Sequence, residues 1–376
     1  MPAPSGLVQQ LDQRLHRHEL MEPGARIIIA CSGGCDSVAL LRLVQSVNQS
    51  RHWRWQIMVA HVNHNLRRAA SRGDERFVLR LATKLHLPCA VEQLPRPKRG
   101  TAPSEAQLRQ SRYRALAKIA RRHRCSYIAA AHHADDQAET VLLRVLRGAG
   151  PQGLSAMAER CRLGDVLAEE SSRRTGKRPG PINLVRPLLT FTRAELEDYL
   201  QSIGQTWRSD HTNAQHIYLR NRIRHQLLPL MRQMQPDICD RLVALAATQR
   251  SAAEALRLDT ALLRRVARPR RTAKGWSLDR TRLAAGPAFV AAAVLRDLMG
   301  ELKVPLDRIN RSSLTEAVEL LKQKGRPLRY QFAGGIVLAA KGGYSPAAKR
   351  LHLTRQSGRL FLGGAAGITP SRRSKP

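Results

Sequence analysis

Residues 26–37 read Arg-Ile-Ile-Ile-Ala-Cys-Ser-Gly-Gly-Cys-Asp-Ser, and no other stretch limits the fold of this chain so tightly. Ile27, Ile28 and Ile29 are continuous and β-branched, which predicts a strand buried on both faces. Ser32-Gly33-Gly34-Cys35-Asp36-Ser37 follows at once, and Val38 to Val44 then carries apolar residues at helical spacing. A strand, a glycine turn and a helix start make an anion site. Paired glycines bring main-chain N–H groups close to a phosphate, and the helix N-terminus adds partial positive charge. Ser32 and Ser37 add hydroxyls, and Asp36 tolerates phosphate only with a cation such as magnesium between them. The Gly-Lys-Ser/Thr ending of a Walker A loop is absent, and so is the dinucleotide fingerprint G-x-G-x-x-G.

The loop resembles the S-G-G-x-D-S pyrophosphate loop of the N-type ATP pyrophosphatases. That resemblance implies ATP cleavage between the α and β phosphates and an adenylated intermediate. It also implies an ATP site built from Ser32, Gly33, Gly34, Cys35, Asp36 and Ser37.

Around the loop the chain alternates. Strands are predicted at 27–31, 56–61, 89–93 and 127–131, and helices at 36–48, 72–86, 104–123 and 135–147, after a lead helix from Leu7 to Leu20. This is the α/β pattern of a doubly wound parallel sheet, which binds nucleotides at its first strand–helix turn. A last strand and helix are predicted near Leu184–Pro187 and Thr192–Ile203, after a flexible polar insertion at 162–181. Asp237 to Val266 reads as a connecting helix. Helices at 287–300 and 307–323 and strands at 328–340 and 350–362 then predict a small α+β domain. The expected organisation is a catalytic domain over 1–232, a helical linker over 233–270, an RNA-binding domain over 271–366 and a basic disordered tail over 367–376.

A net charge of +35 over 376 residues, most of it arginine, points to a polyanionic partner, with nucleic acid ahead of a membrane surface. No apolar run is long enough to span a bilayer. The six cysteines show no C-x-x-C and no zinc spacing, and Met1 to Leu20 is polar. A reducing cytoplasm is therefore expected.

Two further segments leave predicted strands at the same sheet edge as the phosphate loop. In His61-Val62-Asn63-His64-Asn65-Leu66-Arg67-Arg68, the histidines are placed to meet nucleotide and Arg67 phosphate. In His132-His133-Ala134-Asp135-Asp136-Gln137-Ala138-Glu139-Thr140, Asp136 and Glu139 share a helix face and can grip an ammonium group or a metal. Helix-dipole capping explains one such acid, but not two histidines and three acids together. Glu105, Arg109, Arg112 and Tyr113 recur at helical spacing, with a solvated face as the plain alternative. Tyr218-Leu219-Arg220-Asn221-Arg222-Ile223-Arg224 suits phosphate, with a surface charge run as its alternative.

In this order the segments resemble bacterial tRNA(Ile)-lysidine synthetase. The order is S-G-G-x-D-S, H-V-N-H-x-L-R, E-x-x-x-R-x-x-R-Y, H-H-x-D-D-Q-x-E-T, R-G-x-G, R-P-L-L and Y-x-R-N-x-I-R. Asn65 stands where that family usually has Gly, and Leu108 where a small residue is common. The resemblance implies a ligase that joins L-lysine to carbon 2 of the wobble cytidine in a CAU-anticodon tRNA(Ile), consuming ATP with Mg2+. It assigns Ser32 to Ser37 and His61 to ATP, with Asp36 sharing the magnesium. Asp136, Glu139 and His133 fall to lysine, and Arg67, Arg109, Arg112, Arg220 and Arg224 to tRNA or the adenylate. A homodimer is carried as an open expectation. A tRNA thiolase on the same fold and a non-catalytic basic RNA-binding protein are the competing readings.

Overall fold

The structure is a computed structural model that describes residues 6–49, 53–63, 65, 68–95, 104–167, 180–208, 219–304, 306, 309–323, 326–333, 335–341 and 350–355. The chain separates into two compact units, Met1–Ala252 and Ala253–Pro376.

The first unit begins with α1 (Gly6–Arg17), β1 (Arg26–Ala30), α2 (Cys35–Asn48), β2 (Gln56–Asn63), α3 (Arg68–Lys84) and β3 (Cys89–Gln93). It continues with α4 (Glu105–Arg122), β4 (Tyr127–Ala129), α5 (Ala134–Val145), α6 (Pro151–Leu154), β5 (Arg160–Arg162) and α7 (Leu163–Leu167). Then come β6 (Asn183–Val185), α8 (Arg193–Ser202), α9 (Leu219–Arg222), a π-helical turn (Ile223–Leu227), α10 (Leu228–Met234) and the start of α11 (Ile238–Val266). The six strands pair in the order β3-β2-β1-β4-β6-β5. All pairs are parallel except β5 with β6. The doubly wound parallel sheet predicted from the sequence is present, with one antiparallel edge strand added. Strand order reverses between β1 and β4, so the phosphate loop after β1 opens at the switch point where such sheets take ligands.

The isoleucine triplet shows why the sheet sits where it does. Ile27 and Ile29 belong to the core shared with α1, α2 and α8, whereas Ile28 belongs to the core under α4 and α7. All three are fully buried, each contributing roughly 1.5–3 kcal/mol of transfer free energy.

The predicted flexible insertion at 162–181 is corrected at its start. Residues 162–167 are ordered, because Leu163 and Leu167, one helical turn apart, bury themselves in the core beside α4. Residues 168–179 of that insertion lie outside the described residues, as do the 96–100 loop and the 367–376 tail.

The second unit holds β7 (Arg270–Thr272), β8 (Gly275–Asp279), α12 (Arg280–Ala284), α13 (Ala288–Glu301), α14 (Arg311–Lys322), β9 (Leu328–Phe332), β10 (Ile336–Ala340) and β11 (Arg350–Arg355). Its strands form an antiparallel sheet in the order β7-β8-β11-β10-β9. The single strand expected at 328–340 is thus two, and Gly335 at φ +76° sits between them.

Candidate active site

Gly33 adopts φ +92°, and a Cβ there would lie 3.3 Å from Phe77 Cδ1. Only glycine meets both conditions without strain. Ser37, buried at the start of α2, donates its hydroxyl to Gly34 O at 2.9 Å and accepts from Ser32 N at 3.1 Å. It therefore shapes the loop from within, and Ser32 Oγ lies 3.1 Å from Ser37 Oγ. Arg208 N donates to Gly33 O at 2.9 Å, a strap from a residue 175 positions away by numbering that no local pattern announces. Cys35 is buried, and burial with neighbouring Asp36 pushes its thiol up to about 12.

His61 lies near the end of β2 and is buried, its Nδ1 2.9 Å from Cys31 O. A carbonyl only accepts, so Nδ1 carries a hydrogen in this contact. Asn65 takes φ +53°, which explains a position where glycine is usual. Its side chain holds the turn by donating to Leu94 O at 2.8 Å, and its N–H donates to Asn63 Oδ1 at 2.9 Å. Arg67 and His64 lie outside the described residues.

The strongest convergence is at His133. It caps α5, and its Nε2 lies 3.7 Å from Asp36 Oδ2 and 3.5 Å from Asp136 Oδ2, so the phosphate loop and the acidic helix meet on one nitrogen. Its Nδ1 lies 3.3 Å from Asp135 Oδ2. Burial opposes protonation of His133, but Asp135, Asp136 and Asp36 outweigh it and raise the pKa. Burial raises Asp36, with Asp136 adding to it against His133 and Arg193. Asp36 Oδ1 is buried and has no hydrogen-bond partner.

Asp136 and Glu139 do share a face, and arginines occupy it. Glu139, 1% exposed, accepts from Arg224 Nε, from Arg224 Nη2 at 3.0 Å and from Arg220 Nε at 2.9 Å. Asp136 Oδ1 accepts from Arg224 Nη2 at 3.0 Å and Arg220 Nη2 at 3.4 Å. Burial opposes ionisation of Asp136, but His133, Arg220 and Arg224 hold its pKa below the usual range. Asp135 faces elsewhere: it accepts from Arg193 N at 2.9 Å and pairs with Arg232. Gln137 exchanges two 3.0 Å bonds with Met157, so this motif residue is a structural pin.

Arg109 and Arg112 lie over the ring of Tyr113, at 5.2 and 5.5 Å from its centroid, and Arg109 Nη1 is 3.3 Å from His132 Nε2. Sequence reasoning flagged His132 only as a member of its motif, and missed Arg186, Arg193, Arg208 and Arg232 as parts of the site's surroundings, which come from other segments. Only the R-P-L-L motif flagged one of these arginines, Arg186.

A family model described as the PP-loop domain matches residues 7–231. A tRNA(Ile)-lysidine synthase of Geobacter sulfurreducens is 39% identical over 254 residues, covering 66% of this chain and 48% of that protein. A tRNA(Ile)-lysidine synthase of a Synechococcus strain is 32% identical over 314 residues, covering 84% of this chain and 86% of that protein. The chain spans about half the length of the first curated relatives it matches. Among solved structures, the U34-tRNA thiolase NcsA from Methanococcus maripaludis superposes with a TM-score of 0.51 at 12% identity, covering 64% of this chain and 78% of that one. At that identity the likeness concerns the fold alone.

Proposed function

The chain belongs to the PP-loop family and, within it, to the tRNA(Ile)-lysidine synthases, and on that premise we propose that it joins L-lysine to carbon 2 of the wobble cytidine of a CAU-anticodon tRNA(Ile). The observation that carries this reading is the meeting of Asp36 and Asp136 at His133 Nε2, which sets a nucleotide loop beside an acidic site. ATP adenylates the cytidine, pyrophosphate leaves, and the side-chain amine of lysine displaces AMP.

In this scheme Ser32, Gly33, Gly34, Cys35, Ser37 and His61 hold ATP through loop main chain and hydroxyls. The residues fit a divalent cation, because Asp36 Oδ1 is a buried carboxylate oxygen without a partner. Magnesium bound there would neutralise charge on the departing pyrophosphate. Asp136 and Glu139 receive the cationic lysine in exchange for Arg220 and Arg224, which turn to tRNA phosphate or the adenylate. His133, set among three carboxylates, takes part in moving the proton that the amine loses, since an ammonium is no nucleophile. Arg109 and Arg112 add positive charge to the site, Arg67 is proposed from its motif alone as a further tRNA contact, and the +35 charge suits a tRNA far better than a small substrate.

The thiolase alternative needs reactive cysteines or an iron–sulfur site, whereas the sequence holds no C-x-x-C and burial raises Cys31, Cys35, Cys89, Cys125 and Cys239. No helix among the described residues is long and apolar enough to cross a membrane. A cytoplasmic location and a homodimer stand as parts of the same proposal. The deciding experiment incubates the protein with ATP, labelled lysine and a CAU-anticodon transcript. Label in RNA with release of AMP is the expected result, and ATP turnover without label in RNA would reject the ligase.

A further inference from the structure

Beside the acidic pair lies a second cluster with the opposite character. Arg109, Arg112 and Tyr113 come from α4, His132 follows β4, and Arg186 follows β6. Arg109 and Arg112 are held against the Tyr113 ring, and Arg109 Nη1 points to His132 Nε2 at 3.3 Å. Arg112 and Arg186 act on both Arg109 and His132 as like charges. Among the described residues no carboxylate forms an ion pair with Arg109, Arg112 or Arg186; Arg186, 3% exposed, uses Nη1 on Ala158 O and Cys161 Sγ.

The hydrogens decide what this cluster lacks. A guanidinium only donates, so His132 Nε2 must accept from Arg109, and the imidazole is neutral with its hydrogen on Nδ1. Burial first, then Arg109, Arg186 and Arg112, hold the His132 pKa well below its ordinary value against the pull of Asp136, consistent with that tautomer. His132 Nδ1, Arg186 Nε and Tyr113 Oη are all buried and have no hydrogen-bond partner. An unsatisfied buried polar group of this kind is destabilising until a partner reaches it. Three guanidinium charges and two buried N–H donors, with a hydroxyl that can also donate, thus gather in one cluster without a hydrogen-bond partner for His132 Nδ1, Arg186 Nε or Tyr113 Oη.

We propose that Arg109, Arg112, His132 and Arg186 form an anion site for one backbone phosphodiester of the RNA, next to the nucleotide being modified. This rests on the RNA-substrate reading above and narrows it to a single phosphate. The alternative anion would be the carboxylate of a free amino acid. An α-ammonium group accompanies that carboxylate and calls for an acceptor beside the guanidiniums. The two unpartnered nitrogens are donors only. The acid acting on His132 is Asp136, which the functional reading gives to the side-chain ammonium of lysine. A phosphodiester needs donors alone.

The test is filter binding of a short anticodon stem-loop RNA with a CAU loop, each loop phosphodiester being replaced in turn by an uncharged methylphosphonate. One position should weaken binding to the wild-type protein by about tenfold or more, the others far less. His132→Ala and Arg109→Gln should each weaken the unmodified RNA similarly, and neither should lose much more when that one phosphate is neutralised. Even losses along the loop in the wild-type protein would overturn the proposal without any variant. Additive losses in the variants would overturn it as well. So would a raised KM for lysine, but not for lysinamide, in His132→Ala, because the anion would then be the amino-acid carboxylate. A wild-type protein that makes lysidine but singles out no phosphate refutes only this site. One that neither makes lysidine nor binds the stem-loop refutes the functional reading itself.

Discussion

Replacing Glu139 by Gln tests the acidic pair with the least change of shape. The wild-type carboxylate receives three guanidinium donors, two at 2.9 and 3.0 Å and the third from Arg224 Nε, while Glu139 itself is 1% exposed. A carboxamide keeps one acceptor oxygen, but its NH2 end must face a donor. At least one charge-assisted bond is lost and a repulsive contact replaces it. Hydrogen bonds to charged groups are worth about 1.5–3 kcal/mol each, and removing one partner of a buried pair costs on the order of 3–5 kcal/mol. The two guanidiniums sit on α9 and the π-helical turn, so part of that loss falls on the docking of residues 219–234 against α5. The remainder falls on lysine, whose cationic group should use the same oxygens. We expect the KM for lysine to rise about ten- to a hundredfold in tRNA-dependent lysidine formation, with the KM for ATP changing less than threefold, on the scale of ~1.4 kcal/mol per decade. Hydrogen exchange should quicken in 219–234 and stay unchanged in β1 and α2. If lysine saturation is unchanged while exchange in 219–234 rises, Glu139 is a structural clamp and the reasoning fails.

Asp36→Asn should cut adenylation on the order of 10- to 100-fold, as measured by tRNA-dependent ATP–pyrophosphate exchange, with tRNA binding retained; normal exchange would remove Asp36 as the cation's ligand. Gly33→Ala forces a Cβ against Phe77 at φ +92° and should destabilise the first unit by roughly 1–3 kcal/mol, read by calorimetry as a fall of several degrees in Tm. His132 has a folded pKa depressed below its unfolded value of 6.5, so the unfolded chain binds more protons in that interval. Stability should therefore fall as pH drops through about 6.5, and His132→Gln should flatten that part of the Tm–pH profile; an unchanged slope would show that His132 is not buried as a neutral ring.

Much of this protein was legible in short stretches of sequence. The isoleucine triplet, the glycine pair and the following apolar spacing fix a strand, a turn and a helix through local backbone chemistry, and the loop's place at the sheet edge follows from the alternation of elements. The Asp136–Glu139 spacing fixes a shared helix face for the same local reason. The partners on that face were not legible. Arg220 and Arg224 reach Glu139 from more than 80 residues away, and their pairing depends on packing of Ile223 and Leu228 against α5. Nor could the sequence say that His133 would gather Asp36 and Asp136, or that Arg109 would set the tautomer of His132. Local pattern determines which chemistry sits at the carboxyl edge of the sheet. Tertiary packing decides which charges meet there, because side-chain pairs at a few ångströms are set by how helices dock, and a sequence records only the order in which they arrive.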